Sequence, residues 1–134
     1  MTSVSSLTLI LPLLLTACAG AKTSVERNAS HAVSALRRIQ FAPDVRMPRA
    51  DSINSLKPVM QEFYNLGKKD RADGLNPEQA RQRVESFSHS DVLSGRQISG
   101  FLSQEFDADN PEKQRQIILE AAISSYQDGY NGRP

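Results

Sequence analysis

The chain has 134 residues, with 16 Lys+Arg against 15 Asp+Glu and a formal net charge of +1. A balance this close to zero does not imply a nucleic-acid partner, and a single cysteine leaves no intramolecular disulfide framework. Trp is absent and aromatics make up 6% of the chain, so stability has to come from packing a modest core.

The N-terminal stretch organises the rest. An apolar run from Leu7 to Leu15 ends in the small residues Thr16 and Ala17, followed by Cys18, Ala19 and Gly20. The run covers roughly ten residues, against about 20 needed to cross a bilayer. A short apolar run that ends in small residues reads as a secretory signal. The segment Leu15-Thr16-Ala17-Cys18 resembles a bacterial lipobox. The resemblance implies that the Cys18 thiol takes a diacylglyceryl group, that the chain is cut before it, and that the new amine is acylated. The n-region, Met1 to Ser6, lacks Lys and Arg, where a signal normally carries positive charge. Either the signal is atypical or the true start lies upstream. The expected organisation is a signal peptide over residues 1–17, a lipidated cysteine and tether over 18–22, and a helical periplasmic domain over 23–134.

Thr23-x-x-Glu26 has the form of a capping box. Val25, Ala29, Ala32, Leu36 and Ile39 then recur at spacings of four and three, one apolar stripe on a helix. That helix is expected to end near Gln40, with His31 a helix residue and not a ligand. Pro43 and Pro48 bracket a loop. A second stripe runs through Ile53, Leu56, Met60, Phe63 and Gly67. Pro58 interrupts it, so the main helix is expected from Ser55, as N-cap, to Ala72, with Gly74 as the stop.

Asn76-Pro77-Glu78-Gln79 is the clearest helix start: Asn caps, Pro takes the first helical position and Gln79 reaches back. Ala80, Val84 and Phe87 mark its buried face. A further helix is expected over Asp91 to Phe106, with Ile98, Phe101, Leu102 and Phe106 inward, weakened by Gly95 and Gly100. Asn110-Pro111-Glu112 repeats the start signal, and the last helix should run from Pro111 to about Tyr130 with Ile118, Ala122, Ile123 and Tyr126 apolar. No stretch alternates with period two for long. The expected fold is all-α, a small bundle of four or five helices.

Tyr64-x-x-Gly67-x-x-x-Arg71 is echoed by Tyr126-x-x-Gly129-x-x-x-Arg133. Tyr, Gly and Arg at these spacings share one helix face near a C-terminus. One reading is two helices that cross at their glycines, each tyrosine packed beside the contact. The other is that Tyr64, Arg71, Tyr126 and Arg133 form a surface for a partner. The packing reading is preferred, because a glycine inside a helix costs stability and needs a reason.

Signals for chemistry are poor. His89-Ser90-Asp91 are adjacent, but a catalytic triad is defined by geometry across a fold. Asp107-x-Asp109-Asn110 lacks the Gly and Glu of a calcium loop. Two histidines and one cysteine do not make a zinc site. The chain is read as a non-enzyme with no cofactor and no metal.

Charge is uneven: residues 18–57 hold seven Lys/Arg and three Asp/Glu, residues 86–134 four and seven. Either the two ends face each other in the fold, which is preferred, or the basic end lies against anionic lipid head groups.

Three segments carry a further resemblance: Phe63-Tyr64-x-x-Gly67-Lys68-Lys69-Asp70-Arg71-x-x-Gly74-Leu75, Glu78-Gln79-Ala80-x-x-Arg83, and Tyr126-x-x-Gly129-Tyr130-x-Gly132-Arg133-Pro134. With the lipobox, they resemble the small entry-exclusion lipoproteins of colicin-type plasmids and enterobacterial genomes. The resemblance supplies no catalytic or binding residues. It implies an envelope lipoprotein that acts by protein–protein interaction and reduces uptake of a related plasmid. Its partners would be the membrane, through the lipid on Cys18, and an envelope protein. Since Ala19 and not Asp follows the cysteine, outer-membrane sorting with the domain facing the periplasm is expected. A structural or assembly lipoprotein, or an inhibitor of an envelope enzyme, are the alternatives.

Overall fold

A computed structural model describes residues 21–39, 48–89 and 111–134. They form an all-α bundle: α1 (Ser24–Arg38), α2 (Arg49–Ala72), α3 (Pro77–His89) and α4 (Pro111–Asn131). The lipobox and the helix expected over residues 91–106 lie outside the described residues, as does the Pro43 end of the first loop.

The first helix starts as its sequence requires. The Glu26 N–H donates to Thr23 Oγ1 at 3.3 Å, the capping half of the expected box, and the Thr23 backbone helps to lower the Glu26 carboxyl pKa. Lys57 hydrogen-bonds the same carboxylate and is the main cause holding it below its usual range. Val25, Ala29, Ala32 and Leu36 are buried, Ile39 caps the end half-exposed, and His31 is exposed.

α2 begins six residues before the expected start. Pro48 is the N-cap and Pro58 sits inside the helix. A mid-helix proline removes one hydrogen bond and costs about 3 kcal/mol. Here Pro58 and Asn54, whose carbonyl loses its donor, are both exposed, so that oxygen is open to solvation. The first two turns are retained because they bury Ser52 and Leu56, and because Arg49 donates to Ser30 Oγ at 3.0 Å and Ser34 Oγ at 2.8 Å on α1.

α3 carries the capping box in full. The Gln79 N–H donates to Asn76 Oδ1 and the Asn76 N–H to Gln79 Oε1, both at 2.9 Å. Ala80 and Phe87 are buried, and Val84 is half-buried. Asn76→Ala should lower stability by roughly 1 kcal/mol through the lost cap, read as a fall in denaturation midpoint with unchanged slope. An unchanged midpoint would mean that the turn holds α3 without its cap.

α1 pairs Glu26 with Lys57 of α2 at 3.0 Å and, a turn later, Ser30 with Arg49, so the two run antiparallel. Ser24 donates to Asp128 at 2.6 Å, and Asn28 to Ser125 at 3.1 Å, so α1 and α4 are antiparallel too. α2 and α4 therefore run in the same direction. Ala29, Val33, Leu36, Leu56, Met60, Ile118 and Ala122 are fully enclosed between the three. Asp70 on α2 faces Arg83 on α3, and Phe63 faces Phe87, so α3 folds back in the opposite sense to α2 while its backbone comes closest to α4.

Candidate functional site

The echoed Tyr-Gly motifs meet. A Cβ built on Gly67 would fall inside the contact radius of the Tyr126 carbonyl oxygen and lie 2.7 Å from the Tyr130 nitrogen. A Cβ on Gly129 would meet the Tyr64 carbonyl oxygen in the same way, with the Tyr64 carbonyl carbon at 2.8 Å. Each glycine thus faces the carbonyl of the tyrosine three residues before the other glycine. A Cα hydrogen aimed at that carbonyl is the geometry of a weak C–H···O contact, and the reciprocity relates the two segments by an approximate two-fold axis.

Past the crossing both helices end in the same kind of turn, at positions the two-fold does not relate: Gly74 lies seven residues after Gly67 and Gly132 three after Gly129. Gly74 has φ +86° and Gly132 φ +70°, left-handed conformations suited to glycine. Both close Schellman motifs. Leu75 N–H reaches Asp70 O at 3.0 Å and Gly74 N–H reaches Arg71 O at 3.2 Å. Arg133 N–H reaches Asp128 O at 2.8 Å and Gly132 N–H reaches Gly129 O at 3.3 Å. A tyrosine of each helix then clamps the residue that leaves the other. Tyr64 Oη donates to Arg133 O at 2.9 Å, and Tyr130 Oη donates to Leu75 O at 2.6 Å.

The four residues singled out from sequence have separate fates. Tyr126 is 1% exposed, so it belongs to the core and is not available to a partner. Tyr64 is half-buried, with its hydroxyl on the Arg133 carbonyl beyond the end of α4. Arg71 is exposed and lies over the Tyr130 ring, 5.1 Å from its centroid. Arg133 lies past the end of α4, two residues beyond Asn131, with its side chain 3.5 Å from Asp128. The first reading of the echo, helices crossing at their glycines, describes this geometry.

Sequence reasoning passed over the polar centre of the crossing. Asp70 is 2% exposed. It accepts from Arg83 Nε at 2.9 Å and Nη2 at 3.2 Å, and from Tyr126 Oη at 2.8 Å. Burial alone would raise the Asp70 pKa. The hydrogen bonds from Arg83 and Tyr126 and the Arg83 charge outweigh it, and the carboxyl is held below its ordinary range. Burial, and then the neighbouring carboxylate, push the Tyr126 hydroxyl up, so it stays a neutral donor. Phe87 packs edge-on between Phe63, at 5.1 Å, and Tyr126, at 5.4 Å. The signal for Asp70 was present: it extends the stripe Leu56, Met60, Phe63, Gly67 by three residues.

The arrangement joins helices. Its one buried carboxylate is fully engaged, and no group of three or more His, Cys, Asp or Glu gathers among the described residues. No helix among them is long and apolar enough to cross a membrane. Known protein families, curated proteins and solved structures give no match to this chain.

Proposed function

We propose that this is a lipid-anchored envelope lipoprotein that acts by protein–protein interaction, with entry exclusion as its role. The observation that carries the reading is Leu15-Thr16-Ala17-Cys18 at the end of an apolar run, a few residues ahead of a helical bundle whose first helix opens at Ser24. A nucleophilic sulfur on a small-residue segment is the substrate that lipid transfer and cleavage require. Each buried methylene adds about 0.8 kcal/mol of membrane affinity, so one chain holds marginally and several hold for good. The cross-braced bundle supports the reading as a rigid body to carry at a membrane surface. The entry-exclusion role rests on the residue resemblance in the Tyr-Gly and Asn-Pro-Glu segments.

Cys18→Ala should abolish fatty-acid labelling and leave the protein soluble or as uncut precursor. Labelling that persists in Cys18→Ala sinks the anchor. In fractionated Gram-negative cells the parent should travel with outer-membrane markers, and co-sedimentation with inner-membrane markers would contradict the sorting. Crosslinking in intact cells should recover an envelope protein. A cell making the protein should take up a related plasmid less often than one making Cys18→Ala, and equal uptake would remove the exclusion role.

A further inference from the structure

The fold gathers the start of α1, the ends of α2 and α4, and the α2–α3 turn at one pole. Ser24 hydrogen-bonds Asp128, Arg27 reaches the Pro134 carbonyl at 3.0 Å, and Tyr130 holds Leu75. Two helix starts and two helix ends meet there, so their dipoles offset one another and the side chains set the potential. Lys22, Arg27, Lys68, Lys69, Arg71 and Arg133 lie at this pole, and all but Arg27 are exposed. The acids beside them are engaged. Glu26 is paired with Lys57, Asp73 with Lys69, Glu78 with Arg81, and Asp128 is 14% exposed under Ser24, Asn28 and two arginines. Lys68 has no acidic partner among the described residues, and Arg71 is held by a ring and not by a carboxylate.

This differs from the charge asymmetry read along the chain. Arg37, Arg38 and Arg49 belong to the basic stretch 18–57, but they sit at the opposite pole, at the end of α1 and the start of α2. The folded chain instead collects cations from three helices at the end where Lys22 enters the domain.

We infer that this pole is a docking surface for an anionic phospholipid bilayer, with Lys22, Lys68, Arg71 and Arg133 against the head-group phosphates. The inference rests on the lipid anchor at Cys18. From Cys18 to Lys22 is four residues, a reach of at most about 14 Å. An anchored domain must therefore keep this pole within roughly one or two screening lengths of the membrane, where each cation is attracted to anionic lipid. Two attachments, one covalent and one electrostatic, fix the orientation. The pole formed by the end of α1 and the starts of α2 and α4 then points away from the membrane.

The test uses the full lipidated chain in vesicles, carrying either Lys68→Cys or Arg38→Cys and labelled with a bulky membrane-impermeant maleimide. In vesicles of phosphatidylglycerol and phosphatidylcholine, position 68 should label roughly 30-fold more slowly than in phosphatidylcholine alone, the effect of two cations at a charged surface. Salt at about 0.5 M, where screening acts within ~5 Å, should remove the protection. Position 38 should label at one rate throughout. Equal rates at 68 and 38 in both vesicles overturn the inference, as does protection at 68 that neither lipid charge nor salt alters. Labelling of the Cys18 thiol itself refutes the anchor, and the inference falls with it, by a readout separate from position 68.

Discussion

Gly67→Leu is expected to cost about 3 kcal/mol or more, the upper end of what overpacking does. The obstacle is backbone: the Tyr126 carbonyl and the Tyr130 nitrogen occupy the space a Cβ needs. A flexible side chain could swing aside, but a helix can only translate. The roughly 1 kcal/mol of helix propensity gained on replacing glycine does not offset that. Moving α4 outward also stretches the Tyr126–Asp70 and Tyr130–Leu75 hydrogen bonds. For a domain of this size the melting temperature should fall by about 10 °C or more. Even Gly67→Ala should destabilise, because the first added carbon is the one that clashes. Gly129→Leu should match it, and the double variant should cost less than the sum, since helices already parted by one side chain have room for the other. Arg71→Ala and Arg133→Ala should stay within about 1 kcal/mol of the parent, as exposed cations do. Glycine variants that melt at or above the parent temperature would overturn the packing account. Arginine variants that melt normally but lose a crosslinked partner would return a recognition role to the exposed part of this face.

How far the sequence could be read follows from what each signal encodes. The Asn76 box is local chemistry, four consecutive residues whose polar atoms reach only one another, and it was legible to the residue. The glycine crossing was legible as a repeat, because the echo preserves the spacing that brings a carbonyl opposite each glycine. Which residues the repeat would bury was not. Tyr126 and Tyr64 are equivalent in spacing, yet Tyr126 has the Asp70 carboxylate within reach of its hydroxyl and Tyr64 a solvent-side carbonyl. The other tyrosine that clamps a departing chain is Tyr130, one residue past Gly129 and outside the echoed pattern. The start of α2 is not legible, because proline propensity carries no tertiary contacts: Leu56 and the Arg49 hydrogen bonds hold turns that Pro58 alone would end. Asp70 is hidden in the sequence by the charged run Lys68-Lys69-Asp70-Arg71. Its partner Arg83 lies on another helix, and only the fold pairs them.

Asp70→Ala is expected to cost about 3 kcal/mol, since hydrogen bonds to a charged group contribute about 1.5–3 kcal/mol each and the two losses are unequal. The Arg83 side chain is 43% exposed, so water takes over its donors and its share is discounted. Tyr126 is 1% exposed, and its hydroxyl is left buried without an acceptor. Asp70→Asn keeps the shape and an acceptor and should cost less. The pH dependence identifies the charge. The folded carboxyl titrates below its unfolded value, near 3.9, so the native state holds its proton less tightly than the unfolded chain. Its stabilisation is complete above the unfolded pKa and is lost as pH falls through the folded one. The stability gap between parent and Asp70→Asn should therefore be constant near neutral pH and close below about pH 4. In Arg83→Ala, burial acts on Asp70 with less to oppose it, so the acid-dependent part of the stability should shrink although the carboxylate is still present. Denaturant midpoints of the three variants across that pH range decide the matter. A gap between parent and Asp70→Asn that persists unchanged into acid would mean that the carboxylate contributes shape and hydrogen-bond geometry, and that its charge is not what secures α3 to the α2–α4 crossing.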